Sequence, residues 1–166
     1  MVQEPQLDEL YREVVLDHYR TPRGRCPVQR TDVLSRGHNP VCGDELELQI
    51  HVEGGRIRGV HVNGRGCSIS TASGSMLAEL LPGKSKEEAQ RILGAFRKMM
   101  HGEPYPKDVD LGELEALEGV KKFPVRIKCA MLAWTTLEDG LQAYERGKKE
   151  PEGETTTESE AEEVEP

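Results

Sequence analysis

Residues 45–62 read ELELQIHVEGGRIRGVHV. Leu46, Leu48, Ile50 and Val52 alternate with Glu45, Glu47, Gln49 and His51. A period of two marks a strand with one buried face. Glu53-Gly54-Gly55-Arg56 then turns the chain, because two glycines accept the positive φ that a two-residue hairpin loop demands. Residues 57–63 return as a second strand with Val60 and Val62 inward. His51 and His61 are expected outward, as ordinary surface residues. The apolar face of this hairpin needs a cover, and the rest of the chain supplies helices.

Leu7, Leu10, Tyr11, Val14 and His18 lie on one face of a helix over 6–20, which Pro22 stops. His18 shares that apolar stripe and reads as a satisfied core or rim histidine. After Gly64-Arg65-Gly66 and Cys67, a small-residue run, SISTASGSMLAELL, predicts a helix with Ser70 as N-cap and Pro82-Gly83 at its end. Ser85-x-x-Glu88 is a capping box. It opens a helix whose apolar face is Ala89, Ile92, Leu93, Phe96, Met99 and Met100, closed by Gly102. Leu111, Leu114 and Leu117 predict a short helix. Phe123-Pro124 starts a long one through about Arg146, with Cys129, Leu132, Ala133, Thr136, Leu137, Leu141 and Tyr144 as its core stripe. A third strand fits within the weakly patterned 27–41. The expected fold is α+β, with helices on one face of a small antiparallel sheet.

The chain has 166 residues and a net charge of −8. Residues 150–166 carry eight glutamates and no Lys or Arg, so the remaining body balances 22 acidic against 22 basic residues. The expected organisation is a single domain over 1–147 and a disordered acidic tail over 148–166. A neutral body with an acidic tail is a poor candidate for binding DNA or RNA, so no nucleic-acid partner is expected. No apolar run is long enough for a membrane span, and the polar, acidic start is unlike a signal peptide. A cytoplasmic protein with reduced thiols is expected, and the charge pattern suits a monomer.

The cysteines are Cys26, Cys42, Cys67 and Cys129. None is paired at CxxC spacing, and there is no HExxH, Walker A loop or zinc-deaminase signature. Any site is therefore assembled from distant segments. Cys42 and Asp44 share parity with Leu46, so strand geometry extended back to residue 42 would aim both at the edge of the core. Cys67 and Cys129 both stand near helix starts, a setting that favours thiolates. Three thiols and one carboxylate make a tetrahedral donor set for zinc, and thiolates also hold iron–sulfur clusters. The plain alternative is that free cysteines fill space, and Cys26, a loop thiol, reads that way. A buried carboxylate needs compensation, which turns the Cys42–Asp44 pair toward a metal.

NPVCGD, GRGCSISTASGSM and FPVRIKCAMLAW, with LYREVVLDHYRTPRG ahead of them, resemble the cysteine segments and opening helix of the U-type iron–sulfur assembly proteins. That family includes IscU and the NifU N-terminal domain. The resemblance covers about residues 7–145 and is nearest to the SufU branch, which shares Lys (here Lys128) before the third cysteine. The LPPVK sequence of the IscU branch is absent, and FPVRIK replaces it. The resemblance implies a three-stranded antiparallel sheet on helices and the ligands Cys42, Asp44, Cys67 and Cys129. It implies Zn2+ or a transient [2Fe–2S] cluster at those ligands. It implies Cys129 as acceptor of persulfide sulfur from a SufS-type cysteine desulfurase, with Arg126 either contacting the persulfide and partner or simply solvated. Three roles follow: a zinc-dependent sulfurtransferase; a scaffold passing a [2Fe–2S] cluster to apo-protein acceptors or downstream assembly proteins; and a purely structural zinc domain. Cys26 and the acidic tail match nothing in the family pattern.

Overall fold

A computed structural model describes residues 3–157, with side chains from residue 11 onward. The hairpin forms as the alternation dictates. Strands β2 (Asp44–Glu53) and β3 (Arg56–Arg65) pair antiparallel about Gly54 and Gly55, at φ +63° and +75°. Leu46, Leu48, Ile50, Val60 and Val62 are buried. His51 departs from the expectation: it is only 8% exposed. The register shifts between His51 and Val52, and the 24–29 segment lies over this part of the outer face, with His51, Cys26 and Val28 lining one cleft. A bulge re-aims side chains, and here the loop buries one that alternation had placed in water. His61 is half-buried.

The third strand, β1 (Val33–Asn39), pairs antiparallel with β2. Its inward residues are Val33, Ser35, Gly37 and Asn39, only one of them a large apolar side chain. The packing above explains the weak pattern. A Cβ on Gly37 would overlap Thr136 Oγ1, and Ser35 Oγ donates to Thr136 O at 2.8 Å. A helix crosses this strand too closely for larger residues.

The sheet has four strands, not three, in the order β3-β2-β1-β4. The fourth is β4 (Thr155–Thr156), parallel to β1, with Gly37 opposite Thr155 and His38 opposite Thr156. It comes from the segment read as disordered tail. Leu34 N–H donates to Lys149 O at 2.9 Å, Thr155 Oγ1 donates to Asp139 Oδ2 at 2.6 Å, and Thr155 and Thr157 are buried. Composition missed it because two threonines suffice to cover a strand edge. Residues 158–166 of that tail lie outside the described residues.

The helices cover one face. They are α1 (Gln3–Arg20), α2 (Ser68–Leu80), α3 (Lys86–Met100), a 3₁₀ helix (Gly112–Lys122) and α4 (Pro124–Glu145). The α3 capping box forms on both sides, and its whole expected apolar face is buried. Leu111, Leu114 and Leu117 are fully buried. Their spacing of three matches three residues per turn, which is why this element is 3₁₀. The α4 stripe was read too narrowly. Every residue from Cys129 to Leu137 is buried, while Tyr144 is exposed. The helix is sandwiched between β1 and the other helices, so it has an inner face on both sides. Trp134 packs its ring 5.6 Å from that of Phe96 at the centre. His18 is fully buried and hydrogen-bonds Ser75 Oγ at 2.7 Å and Glu113 Oε1 at 2.6 Å, tying α1 to α2 and the 3₁₀ helix.

Candidate metal centre

The site lies where the β1–β2 loop meets the starts of α2 and α4. Cys42 does not continue strand β2. Residues 40–43 form a turn, with Gly43 at φ +76° and its N–H donating to Asn39 O at 2.8 Å. Val41 N–H donates to Asn39 Oδ1 at 3.2 Å, an Asx-type closure. The parity argument therefore holds for Asp44, buried at 1% exposure, and fails for Cys42, which is exposed on the turn. The turn still swings the Cys42 thiol over the site. Cys42, Asp44 and Cys129 offer ligand atoms all within 4.8 Å of one another.

Asp44 is held from two sides. Cys67 N–H donates to Oδ1 at 3.0 Å, and Asn39 Nδ2 donates to Oδ2 at 3.3 Å. Asn39 Nδ2 also lies 3.6 Å from Cys129 Sγ. Its other amide atom is committed to Val41, so the ring of contacts fixes the amide orientation. Asn39 was not singled out from the sequence. The only signal was NPVC, where Asn precedes a turn. Gly66 allows the approach: a Cβ there would lie 2.7 Å from Asp44 Oδ1 and would overlap Ser70 Oγ.

Cys67, not Ser70, is the N-cap of α2. Its thiol is pushed down from 9.0 to about 5, chiefly because the Cys129 thiol donates to it, with the backbone amides of Ser70 and Ile69 acting in the same direction. Cys129 goes the other way. It is fully buried, and its role as donor to Cys67, together with desolvation, raises its pKa. The expectation of two thiolates at helix starts thus holds for Cys67 only. Cys129 is the sixth residue of α4, beyond the first turn where the helix field acts. Without a metal, a shared proton stays on the most buried sulfur. Arg126 Nη1 stands 3.9 Å from Cys129 Sγ and presents a cation to it.

Cys67 Sγ is not part of the set of ligand atoms lying within 4.8 Å of one another, although its N–H holds Asp44. The two gathered sulfurs and the carboxylate, with the Cys67 thiol beside them, are donor types that zinc or an iron–sulfur cluster takes. Buried Cys129 cannot lose its proton cheaply beside the half-exposed Cys67 thiolate without a cation. Cys26 lies in the outer cleft beside His51 and joins no group of metal-ligand type among the described residues. No helix of the described residues is long and apolar enough to cross a membrane.

Comparison with known proteins shows the family. The model of the family described as NifU-like N terminal domain matches residues 10–130. The chain is 43% identical over 141 residues to the zinc-dependent sulfurtransferase SufU of Bacillus subtilis, covering 85% of this chain and 95% of that protein. It is 39% identical over 137 residues to the iron–sulfur cluster assembly scaffold protein IscU of Streptococcus pyogenes, covering 82% and 86%. A crystal structure from Fervidobacterium islandicum, of a candidate iron–sulfur cluster assembly scaffold protein for the SUF system, superposes with a TM-score of 0.74 at 33% identity. It covers 78% of this chain and 94% of that one. The site-bearing loops and nearly the whole body fall within these matches, and the chain belongs to the NifU-like N-terminal domain family.

Proposed function

We propose that this protein receives sulfane sulfur from the persulfide of a SufS-type cysteine desulfurase and passes it on for iron–sulfur cluster assembly. Cys42, Asp44, Cys67 and Cys129 would hold a zinc ion. The observation that carries the reading is the closeness of an exposed thiol, Cys42, to a buried one, Cys129, at 3.5 Å, beside a fixed carboxylate. Likeness to the zinc-dependent SufU supports it. Zinc, when bound, would keep the thiols deprotonated and hence nucleophilic.

The rest follows from the side chains. Cys42 is the thiol that an incoming persulfide meets first. Its thiolate attacks the outer sulfur of the donor's S–SH. One S–S bond forms on Cys42, the donor's S–S bond breaks, and the electron pair and a proton leave with the donor thiol. No net oxidation occurs. Cys129, expected as the acceptor, is reached by a second exchange of the same kind across the short gap between the two sulfurs. Asn39 and Arg126 hold partial and full positive charge against that sulfur as it becomes anionic. Asp44 is an oxygen donor, the ligand that a sulfur-rich site releases most readily.

The test is cysteine turnover by a SufS-type desulfurase with the zinc-loaded and the chelator-stripped protein, with persulfides trapped by alkylation. The reading expects acceleration by the zinc form and trapped sulfur on Cys42, then Cys129. Sulfur uptake only by the stripped protein, followed by a stable cluster on adding iron, would overturn it.

A further inference from the structure

A second feature lies beside this site and does not depend on sulfur transfer. A groove of about 890 Å³ runs between α1, the start of α2, the end of the 3₁₀ helix and the start of α4. Its charge is one-sided. Among the described residues, Arg12, Lys121, Lys122 and Arg126 line it against one carboxylate, Glu118, which pairs with Lys121 at 3.3 Å. Among the described residues no carboxylate pairs with Arg12 or Lys122. Its floor and rim are apolar, with Val15, Ile69 and Phe123, and Phe123 is 60% exposed. An aromatic ring so exposed among cations is a surface with an occupant missing.

The chain carries a matching segment. Residues 158–166 read ESEAEEVEP, with five glutamates, one valine and no cation. The described chain ends at the right place. Because β4 runs parallel to β1, the chain leaves the sheet at the Asn39 end of β1, beside the metal site. From there the path to the groove is short: Asn39 Nδ2 is 3.6 Å from Cys129 Sγ, which is 3.9 Å from Arg126 Nη1 on the groove's rim. Nine extended residues reach up to ~30 Å.

We propose that residues 158–166 of this chain dock in this groove, their glutamates on Arg12, Lys122 and Arg126 and Val164 on the apolar floor. The contact is electrostatic and solvent-exposed, so salt weakens it. An incoming protein that uses this face must displace the segment, which makes it a tether-borne competitor beside Cys42.

The test uses the full zinc-loaded chain. A carbodiimide joins carboxylates to lysines in direct contact, and peptide mass spectrometry maps the links. Hydrogen exchange of residues 118–126 is compared between the parent and a variant with Glu158, Glu160, Glu162, Glu163 and Glu165 all changed to Gln. Expected are links from 158–166 to Lys121 or Lys122 within one chain. Exchange over 118–126 should be about tenfold slower in the parent at low salt, with the difference gone at high salt, while α3 amides are unchanged. Equal exchange in the two proteins at low salt, or links only to lysines elsewhere, overturns the proposal. Links found only between covalently joined pairs of chains assign the groove to a second copy and overturn it equally.

Discussion

Cys42 Sγ lies 3.5 Å from Cys129 Sγ, although 87 residues separate them in the chain. One is on an exposed turn and the other is fully buried in a central helix. This pairing of an accessible with a protected thiol sets the order of chemistry at the site.

Alkylation of the native, metal-free protein should therefore follow exposure and thiolate character together. Cys26 and Cys42 react by their exposure and half-exposed Cys67 by its lowered pKa, all ahead of buried Cys129. A quenched time course read by peptide mass spectrometry checks it, and labelling of Cys129 as fast as Cys42 would break the proposed relay order.

Asn39 spans Asp44 and Cys129 with one amide nitrogen. Asn39→Ala leaves a buried carboxylate short of a donor. It should cost about 1–3 kcal/mol of stability. Zinc binding should weaken about 10–100-fold, as for other residues that orient metal ligands. Denaturant melts of the metal-free protein and competition with a chromophoric chelator separate the two effects.

Gly66→Ala places a methyl group against Asp44 and Ser70. The carboxylate must move, with an expected loss of about 1–3 kcal/mol and weaker zinc binding. Gly119→Ala is the control, because a Cβ there meets nothing within 4 Å. Equal behaviour of the two variants would show that the close approach is dispensable.

The shared proton gives a pH signature. Cys67 is pushed down from 9.0 to about 5 by the Cys129 thiol. In the metal-free protein its contribution to stability is complete above pH 9 and is lost as pH falls through about 5. The raised Cys129 opposes it only above pH 9, where the unfolded thiol ionises and the folded one does not. The stability difference between the parent and Cys67→Ser should thus grow from pH 5 to pH 9. Melts across that range measure it, and a flat difference would reject the shared proton.

Several elements were legible before any coordinates. The alternation of 45–62 produced the hairpin, the Ser85–Glu88 box produced the start of α3, and the Leu111, Leu114 and Leu117 spacing located the 3₁₀ helix. These are local signals, in which period and capping chemistry act within a few residues. The candidate ligands Cys42, Asp44, Cys67 and Cys129 stood in three motifs in order, and the fold gathers Cys42, Asp44 and Cys129. The strand β1 was barely readable, because its inward positions are small to admit α4. The strand β4 was missed, because its pairing depends on an edge that only the assembled sheet offers.

The sequence by itself determined the β2–β3 hairpin, the helices and the family, since these rest on side-chain identity and short-range spacing. Tertiary structure alone decided the rest. It placed Cys42 on a turn rather than a strand, buried Cys129 and gave it the proton, and recruited Asn39 to hold Asp44. It also sent residues 155–157 out beside the site. Those outcomes depend on burial and on contacts across 5 to 90 residues of chain. Desolvation and hydrogen-bond geometry exist only once the layers have packed.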